Sequence, residues 1–278
     1  MSHISVIIPC YNSAIYISHA LDAMLCQTHQ PAEILIVDDN STDNLREVID
    51  PYLECSDHIR YMRLPFDDPH RFDKEGNNIN AGWMARQYGV EHAQGDLITF
   101  QDADDGSCAN RLEVQYGLMQ EYDAVHVNVD WQQYKDEYNG KHLNYQIRDA
   151  DVVMTGEILS LIQNKKRGLF TYPFGKHEDK NPIEKFVRKV NRKYIGEHIS
   201  YPCAASMPLV KKEVFETCTF RPVWERTRPS LRGRGADQDF NFWVAETFKK
   251  SIAVKIPLVL WRVTQQNQRY SEKHFRPE

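Results

Sequence analysis

Short apolar strands and amphipathic helices alternate through residues 1–130, and this alternation limits the possible folds. The run "ISVIIP" (4–9) is rich in β-branched residues, and Ile17, Leu21 and Met24 follow it at helical spacing. The same pattern predicts further strands at 33–39, 59–64, 96–102 and 123–129, and helices from near Ser41, across 80–92 and from about Ala109. Because right-handed crossovers connect such elements, the pattern predicts an α/β fold with a mostly parallel sheet.

The alternation stops after about residue 130, and the second half of the chain has fewer signals. Phe240, Trp243, Val244 and Phe248 fit one face of a helix, and the apolar run at 251–263 predicts one or two closing strands. No low-complexity linker separates the halves, and 278 residues suit one large α/β domain.

Composition narrows the class of protein. The chain is 41% hydrophobic and 26% charged with a net charge of -5, which is typical of a soluble protein and does not suggest nucleic-acid binding. Its apolar runs fall short of the roughly 20 residues of a membrane span, and no signal-peptide pattern is present, so a cytoplasmic location is expected. Six cysteines without CxxC pairing predict buried reduced thiols rather than a zinc site or disulfides.

Acidic residues follow two of the predicted parallel strands. Asp38 and Asp39 end the second strand, and Asp102, Asp104 and Asp105 follow the fourth. Since ligands bind at the carboxyl ends of strands in such sheets, these acids are expected to converge on one crevice.

The Asp-x-Asp arrangement at 102–104 is typical of a site for a hard divalent cation. Mg²⁺ or Mn²⁺ takes one or two carboxylates and completes its shell with phosphate oxygens and water. The chain contains neither GxxxxGK[ST] nor GxGxxG, which argues against a Walker-type ATPase and a Rossmann dehydrogenase. The alternative is that Asp102 to Asp105 only form a turn and cap the next helix.

Two basic segments lie in the second half. Residues 165–193 hold ten Lys or Arg and three acids, and 226–235 contains four arginines, at 226, 228, 232 and 234. A solvated face is one interpretation of the first segment, and attraction to an anionic membrane surface or a lipid-diphosphate acceptor is the other. The arginines of the second segment either face a diphosphate or an anionic acceptor, or lie in an exposed loop.

Several motifs occur in the order typical of one family. They are "VIIPCYNS" (6–13), "QTHQPAEILIVDDNSTD" (27–43), "ARQYGVEHAQGDLITFQDADD" (85–105), "RLE" (111–113) and, more weakly, "GADQDFNFW" (235–243). On these motifs the chain resembles family 2 glycosyltransferases of the GT-A fold. The resemblance implies a Rossmann-like sheet flanked by helices. Residues 1–130 would form the nucleotide-sugar-binding half of one domain, and 131–278 the acceptor-binding and catalytic-base half.

The resemblance also implies roles for residues at the strand ends. Pro9 and Tyr11 are similar to residues that line the base pocket, and Asp39 to the acceptor for the ring N–H of uracil. Asp102 is similar to the residue that meets the ribose or the metal, and Asp104 to the direct metal ligand.

Two positions in the helix across 80–92 are further candidates. Arg86 occupies the place of the Arg in the family's "ARN" pattern, so a contact to the nucleotide and a helix-surface ion pair are both open. Asn80 is an additional candidate in this stretch.

The catalytic base implied by the resemblance is Asp237, with Asp239 as the second candidate. Ala236 replaces the Glu of the family's Glu-Asp pair, and capping of the helix dipole is the alternative role for both acids. Near the end of the chain, Thr264 stands where the family often has a metal-binding His. His274 is a solvated residue in this interpretation and is left out of the site.

The resemblance implies a metal-dependent inverting glycosyltransferase that uses Mn²⁺ or Mg²⁺. It would move a sugar from a nucleotide-sugar donor, a UDP-sugar, to a hydroxyl of a glycan or lipid-linked saccharide in polysaccharide biosynthesis. Two alternatives are a sugar-phosphate nucleotidyltransferase, for which "PCYNSA" is a poor phosphate loop, and a noncatalytic nucleotide-sugar-binding protein, suggested by Ala236 and Thr264.

Overall fold

The computed structural model describes residues 3–72, 76, 78–163, 201–226 and 235–264. The strands are β1 Ile4–Cys10, β2 Glu33–Asp38, β3 Ile59–Arg63, β4 Leu97–Phe100, β5 Gly106–Ser107, β6 His126–Gln133, β7 Val152–Met154, β8 Leu209–Lys211 and β9 Ser251–Trp261. The helices are α1 Ile17–Leu25, α2 Leu45–Cys55, α3 Trp83–His92, α4 Arg111–Glu121, α5 Thr155–Gln163 and α6 Ala236–Phe248.

The strands form one sheet in the order β3-β2-β1-β4-β8-β6-β9-β5, with β7 paired to β9. Strands β1 to β4 are parallel, as the alternation in the sequence predicted. Strand β8 is antiparallel to both of its neighbours, β4 and β6, so that β6 and its parallel partner β9 run in the same direction as β1. The carboxyl ends of β1, β2, β4, β6 and β9 therefore lie at one edge of the sheet.

Helices cover both faces of the sheet because the parallel strands are apolar on both sides. In β1, Val6 and Ile8 pack with residues of α1, α2 and α4, whereas Ile7 packs on the opposite face with residues of α3 and α6. The α/β class with helices on both faces is confirmed.

An aromatic cluster fastens α6 to the parallel half of the sheet. Phe240 of α6 stacks on Phe220 and Phe215, with ring centroids 4.5 and 5.2 Å apart respectively. Phe220 in turn meets Phe100 of β4 edge-to-face at 5.1 Å. Aromatic pairs in these geometries add stability beyond their buried area. The start of α6 is thereby held close to the end of β4.

The second half of the chain departs from simple alternation. The apolar run at 251–263 forms one strand, β9, with a register shift where it passes Asp130. The expected boundary near residue 130 falls inside β6, and strands from both halves share the sheet. The expectation of buried thiols is correct for Cys10, Cys108 and Cys218, whereas Cys26 and Cys55 are exposed.

Helix α3 packs so closely on β1 that only glycine fits at their contact. A Cβ at Gly89 would lie 2.5 Å from Cγ2 of Ile7, a distance that real Cβ atoms do not show. We predict that Gly89→Ala destabilises the protein by about 1–3 kcal/mol through overpacking, measured by urea unfolding.

The matched control is Gly117→Ala in α4, where no atom lies within 4 Å of the added Cβ. That variant is expected to stabilise the protein by about 0.5–1 kcal/mol, because alanine loses less backbone entropy in a helix. Equal effects of the two substitutions would contradict the close approach of α3 to β1.

Candidate functional site

Loops after β1 and β2 are tied together at the carboxyl edge of the sheet. Asn12 and Asn40 each follow a strand and adopt left-handed backbone conformations, with φ of 49° and 59°. Asparagine tolerates this region better than most residues. The side-chain oxygen of Asn12 accepts a 2.7 Å hydrogen bond from the backbone N–H of Thr42. The backbone N–H of Asn12 donates to the hydroxyl of Ser41 at 3.0 Å. The two loops therefore form one rigid rim.

The two acids that end β2 have different surroundings. Asp38 is fully engaged, since its carboxylate accepts hydrogen bonds from the Tyr61 hydroxyl at 2.7 Å and the Ser41 N–H at 2.8 Å. Asp39 is 2% exposed and pairs through Oδ1 with the guanidinium of Arg71. Its second oxygen, Oδ2, has no hydrogen-bond partner among the residues that the structure describes. Asp38 thus stabilises the loop, while Asp39 keeps a buried acceptor that none of these residues satisfies.

Arg71 joins Asp39 to the predicted base-pocket residue Tyr11. The Arg71 Cζ lies 4.1 Å from the centroid of the Tyr11 ring, a cation–π contact, and the residue is 7% exposed. Burial raises the pKa of Asp39, and Arg71 opposes that shift. Sequence reasoning missed Arg71 because a single Arg in the loop after β3 has no distinguishing pattern.

The other candidates near this pocket are also inside the protein. Pro9 is half-buried at the end of β1, and its ring faces Gly82 at the start of α3. Asn80 is 2% exposed and donates from Nδ2 to Asp68 at 2.7 Å, while no group in the described part of the chain bonds to its Oδ1. The negative charge of Asp68 also contributes to the raised pKa of Asp39. Asn80 and Asp68 therefore lie near Asp39.

Arg86 links α3 to the acidic turn. Its Nη2 pairs with Oδ1 of Asp102, and its Nη1 donates to the carbonyl of Ser206 at 3.1 Å. The guanidinium lies 5.2 Å from the centroid of the Phe100 ring. Arg86 thus forms an ion pair, one of its two open roles, but at 5% exposure the guanidinium lies inside the protein and not on the helix surface.

The acids of the turn after β4 differ in exposure. The Asp102 side chain is 23% exposed, Asp104 is half-buried and Asp105 is buried. Asp105 accepts a 2.8 Å hydrogen bond from the backbone N–H of Arg262, which follows β9. Burial raises the pKa of Asp105 well above its usual range, and the charges of Asp104 and Asp102 raise it further.

The helix-capping interpretation of this turn is wrong. Helix α4 begins at Arg111 with Asn110 as its N-cap, and no side chain caps it. The like charges are therefore concentrated at the edge of the sheet without serving the helix.

The donor set at the turn fits a cation that shares its ligands with a diphosphate. Within the described ranges, no group of three or more His, Cys, Asp or Glu side chains could hold a metal by itself. Asp102 and Asp104 supply two carboxylates, which is what Mg²⁺ or Mn²⁺ commonly takes from a protein when phosphate oxygens complete the shell. Thr264, at the position where the family often has a metal-binding His, is 5% exposed.

The two acids predicted as candidates for the catalytic base lie in the same turn of α6 but have different surroundings. Asp237 and Asp239 both lie in the first turn of this helix, and the aromatic cluster holds this turn near the end of β4. Asp239 is fully buried, and both of its oxygens are bound by Arg221, at 2.9 and 2.8 Å. Asp237 is half-buried. Of the two carboxylates, Asp239 has a structural role as the partner of Arg221.

Arg226 lies close to the carboxylates at the start of α6 and to Asp68. It is 2% exposed, so the exposed-loop interpretation is wrong for this arginine. Burial lowers the pKa of Arg226 to about 10, and the carboxylates of Asp239, Asp237 and Asp68 oppose the shift. The carboxylates of Asp237 and Asp239 in α6 and that of Asp68 therefore all interact electrostatically with the buried guanidinium of Arg226.

A buried polar network behind α6 was not found from the sequence. His126 of β6 is fully buried, with Nδ1 3.1 Å from the Ser251 hydroxyl and Nε2 beside Oδ1 of Asn241. Since Oδ1 can only accept, Nε2 carries the proton and Nδ1 accepts from Ser251. The Asn241 amide donates at 2.7 Å to the carbonyls of Ala205 and Asp237. The network thus fixes the backbone of Asp237 to the sheet.

Several sequence-based expectations fall outside the described residues. These are the basic segment 165–193, Arg228, Arg232, Arg234 and His274. Among the helices that the structure describes, none is long and apolar enough to cross a bilayer.

The family profile of "Glycosyl transferase family 2" matches residues 5–208, which include Tyr11 and Asp39, the acidic turn and β6. The chain belongs to this family. The family resemblance inferred from the motifs is therefore confirmed.

Curated relatives agree with this assignment. The glycosyltransferase GlyG of Streptococcus pneumoniae is 32% identical over 165 residues, which are 59% of this chain and 50% of GlyG. An uncharacterized glycosyltransferase of Haemophilus influenzae is 27% identical over 213 residues, which are 71% of this chain and 77% of that protein. The putative teichuronic acid biosynthesis glycosyltransferase TuaG of Bacillus subtilis is 35% identical over 118 residues, which are 42% of each chain. The matches thus span about half of GlyG and less of TuaG.

Solved structures share the fold. TarS of S. aureus, residues 1–349, superposes with a TM-score of 0.56 at 14% identity, covering 97% of this chain and 62% of that one. The mannosyltransferase PcManGT from Pyrobaculum calidifontis, solved with GDP-Man and Mn²⁺, gives a TM-score of 0.54 at 16% identity, covering 95% of this chain and 58% of its own. The expected GT-A type architecture is confirmed by these matches.

The buried His126 makes stability depend on pH. Burial lowers the pKa of His126 from 6.5 to about 4. Between pH 6.5 and pH 4 the histidine is protonated in the unfolded chain and neutral in the folded chain. The free energy of unfolding is therefore highest above pH 7 and decreases as the pH falls through this window. We predict that protonation of this residue in the unfolded chain makes the free energy of unfolding about 2 kcal/mol lower at pH 5 than at pH 8.

Urea unfolding of His126→Gln at both pH values tests this, because glutamine does not titrate and its pH difference should be smaller than that of the wild type. His142→Gln, which changes an exposed histidine, is the control and should keep the wild-type difference. An unchanged difference in the His126 variant would contradict the neutral buried imidazole.

Proposed function

We propose that the protein is a metal-dependent inverting glycosyltransferase. It moves a sugar from a nucleoside diphosphate donor, a UDP-sugar, to a hydroxyl of a glycan or lipid-linked saccharide. The observation that carries the proposal is the meeting of three features at one sheet edge: the pocket of Tyr11 and Asp39, the Asp102–Asp104 turn, and the start of α6 with Asp237.

The pocket of Tyr11 and Asp39 has the groups that a pyrimidine base requires. Oδ2 of Asp39 is a buried acceptor that no described residue satisfies, and a ring N–H can bond to it. The Tyr11 ring offers a face for base stacking. Arg71 covers a face of that ring and must share it with the base or move aside when the base stacks there. TarS has been solved with UDP and with UDP-GlcNAc, which supports a uridine donor here.

The acidic turn is suited to the diphosphate of the donor. Asp104 and Asp102 would hold Mn²⁺ or Mg²⁺, and the bound cation would stabilise the negative charge that develops on the leaving nucleoside diphosphate. Arg86 holds the Asp102 carboxylate through Oδ1 and limits its rotation. The complex of PcManGT with GDP-Man and Mn²⁺ supports metal use.

The acceptor hydroxyl must lose a proton as it attacks the anomeric carbon. Asp237 is the proposed general base, because Asp239 is buried against Arg221 whereas Asp237 is half-buried at the start of α6. A base on the face of the sugar opposite the diphosphate gives in-line displacement with inversion. The bond from the sugar to the acceptor oxygen forms as the sugar–phosphate bond breaks, and the proton passes to Asp237.

Residues 131–278 would then shape the acceptor side. The relative TuaG bears a teichuronic acid biosynthesis name, which supports a polysaccharide or lipid-linked acceptor. A cytoplasmic location and contact of the basic segment 165–193 with an anionic membrane remain predictions from the sequence.

Asp104→Asn should abolish metal-dependent nucleotide binding. The substitution removes a charged ligand, so we expect the Mn²⁺-dependent affinity for UDP to fall by about a hundredfold or more. Isothermal titration with UDP, with and without Mn²⁺, measures this. Asp96→Asn changes an exposed acid just before β4 and should bind as the wild type does. Unchanged UDP affinity in the Asp104 variant would exclude the proposed metal ligand.

Asp237→Asn should spare UDP binding and remove transfer. A general base contributes about 10²–10⁴-fold, so turnover of a UDP-sugar panel with saccharide acceptors should fall by that factor. Asp239→Asn should instead lower the unfolding temperature, because it disrupts the buried pair with Arg221. Normal transfer by the Asp237 variant would rule out this base. UDP binding by the wild type without turnover of any donor would favour a noncatalytic binding protein.

A further inference from the structure

The residue that precedes the acidic turn is a buried glutamine that binds the turn from inside. Gln101 has no exposed surface. Its amide nitrogen Nε2 donates to the carbonyl of Asp102 at 3.2 Å and to the carbonyl of Asp105 at 3.1 Å. One side chain therefore joins the first and last residues of the turn.

The other end of the same amide is held by two donors. Oε1 of Gln101 accepts from the Ser107 hydroxyl at 2.7 Å and lies 3.5 Å from Nη2 of Arg111. A flipped amide would direct its NH₂ group at the guanidinium and its oxygen at two carbonyls. The orientation of Gln101 is therefore set by its neighbours.

Arg111 is itself fixed in the core beneath the turn. It is fully buried and forms no ion pair among the residues that the structure describes. Its Nη1 donates to the Thr99 hydroxyl at 3.2 Å and to the carbonyl of Met207 at 3.3 Å. Because its guanidinium is held by uncharged groups on separate elements, it gives Oε1 of Gln101 a stationary positive partner.

Two further backbone groups of the turn are also bound by protein. The N–H of Asp105 donates to the carbonyl of Asp102 at 3.1 Å, and the carbonyl of Asp104 accepts from Nε of Arg262 at 3.0 Å. The conformation of the backbone at 102–105 is thus fixed from both sides. That backbone sets the positions from which the Asp102 and Asp104 carboxylates project.

We propose that Gln101 is a positioning residue that holds the acidic turn in the conformation that binds the nucleoside diphosphate and its cation, with Arg111 fixing the glutamine amide. This inference rests on the proposed function. Only glutamine meets the requirement at this position: leucine or methionine forms none of these bonds, glutamate places oxygens against two carbonyls, and asparagine is one methylene shorter.

The chain contains a matched control in Gln115. This glutamine is also fully buried, its Nε2 donates to two carbonyls, of Val127 at 3.2 Å and Met207 at 2.9 Å, and its Oε1 lies 3.4 Å from Nη1 of Arg111. It differs from Gln101 in that neither carbonyl belongs to the acidic turn, and in that its Oε1 is bonded by Arg111 without a second hydroxyl donor among the described residues. Gln101→Met and Gln115→Met thus remove the same kind of bonds from the same arginine.

Two measurements on the full chain test the proposal. Hydrogen exchange of the backbone at 102–107 should accelerate by about tenfold or more in Gln101→Met relative to Gln115→Met. Titration of UDP with Mn²⁺ should give about 10–100-fold weaker binding in Gln101→Met, while Gln115→Met binds as the wild type does. Urea unfolding of both variants should show a comparable loss of stability, so that loss of folding does not account for the difference.

The outcomes separate this proposal from the proposed function. Equal exchange at 102–107 in the two variants, or equal UDP affinity, would overturn the positioning role. A wild-type protein that binds no UDP with Mn²⁺ would instead overturn the proposed function. In that case the exchange comparison still decides whether Gln101 holds the turn.

Discussion

The parallel pairing of β1 with β2 and β4 is the constraint on which the site depends. In this register Cys10 lies beside Asp38, and Ile7 beside Phe100, so the loops that follow the three strands leave the sheet at the same edge. A shift of one residue would turn Ile7 toward the opposite face and misplace both acidic loops. The buried apolar side chains of β1 on both faces make such a shift costly.

The spacing of apolar residues predicted those strands and helices that are long enough to show a repeating pattern. Strands β1 to β4 and β6 and helices α1 to α4 follow from apolar spacing, because each spans at least four residues with a buried face. Strands β5 and β8 have two and three residues, too few for a period, yet β8 joins the two halves of the sheet. The placement of β5 and β8 in the sheet is therefore determined by tertiary pairing, whereas β6 and β9 follow from their apolar runs.

The site divides in the same way. Acids at strand ends, such as Asp39 and Asp102, could be located because a parallel sheet fixes where its strands end. Arg71, Gln101 and His126 could not, since a polar residue that becomes buried has the same appearance in a sequence as one that faces water. Arg71 pairs with Asp39 across 32 positions, and His126 with Asn241 and Ser251 across 115 and 125, so only folding brings these groups together.

The contact between the acidic turn and Arg262 determines when the site can form. The Asp105 carboxylate accepts a hydrogen bond from the backbone N–H of Arg262, which lies 157 positions later in the chain. Arg262 directly follows β9, the last of the described strands to be synthesised. During synthesis on the ribosome, the parallel strands can pair while the turn still lacks this partner. The acidic turn is therefore made early but completed last, and a nascent chain cannot give Asp105 its partner before β9 has docked.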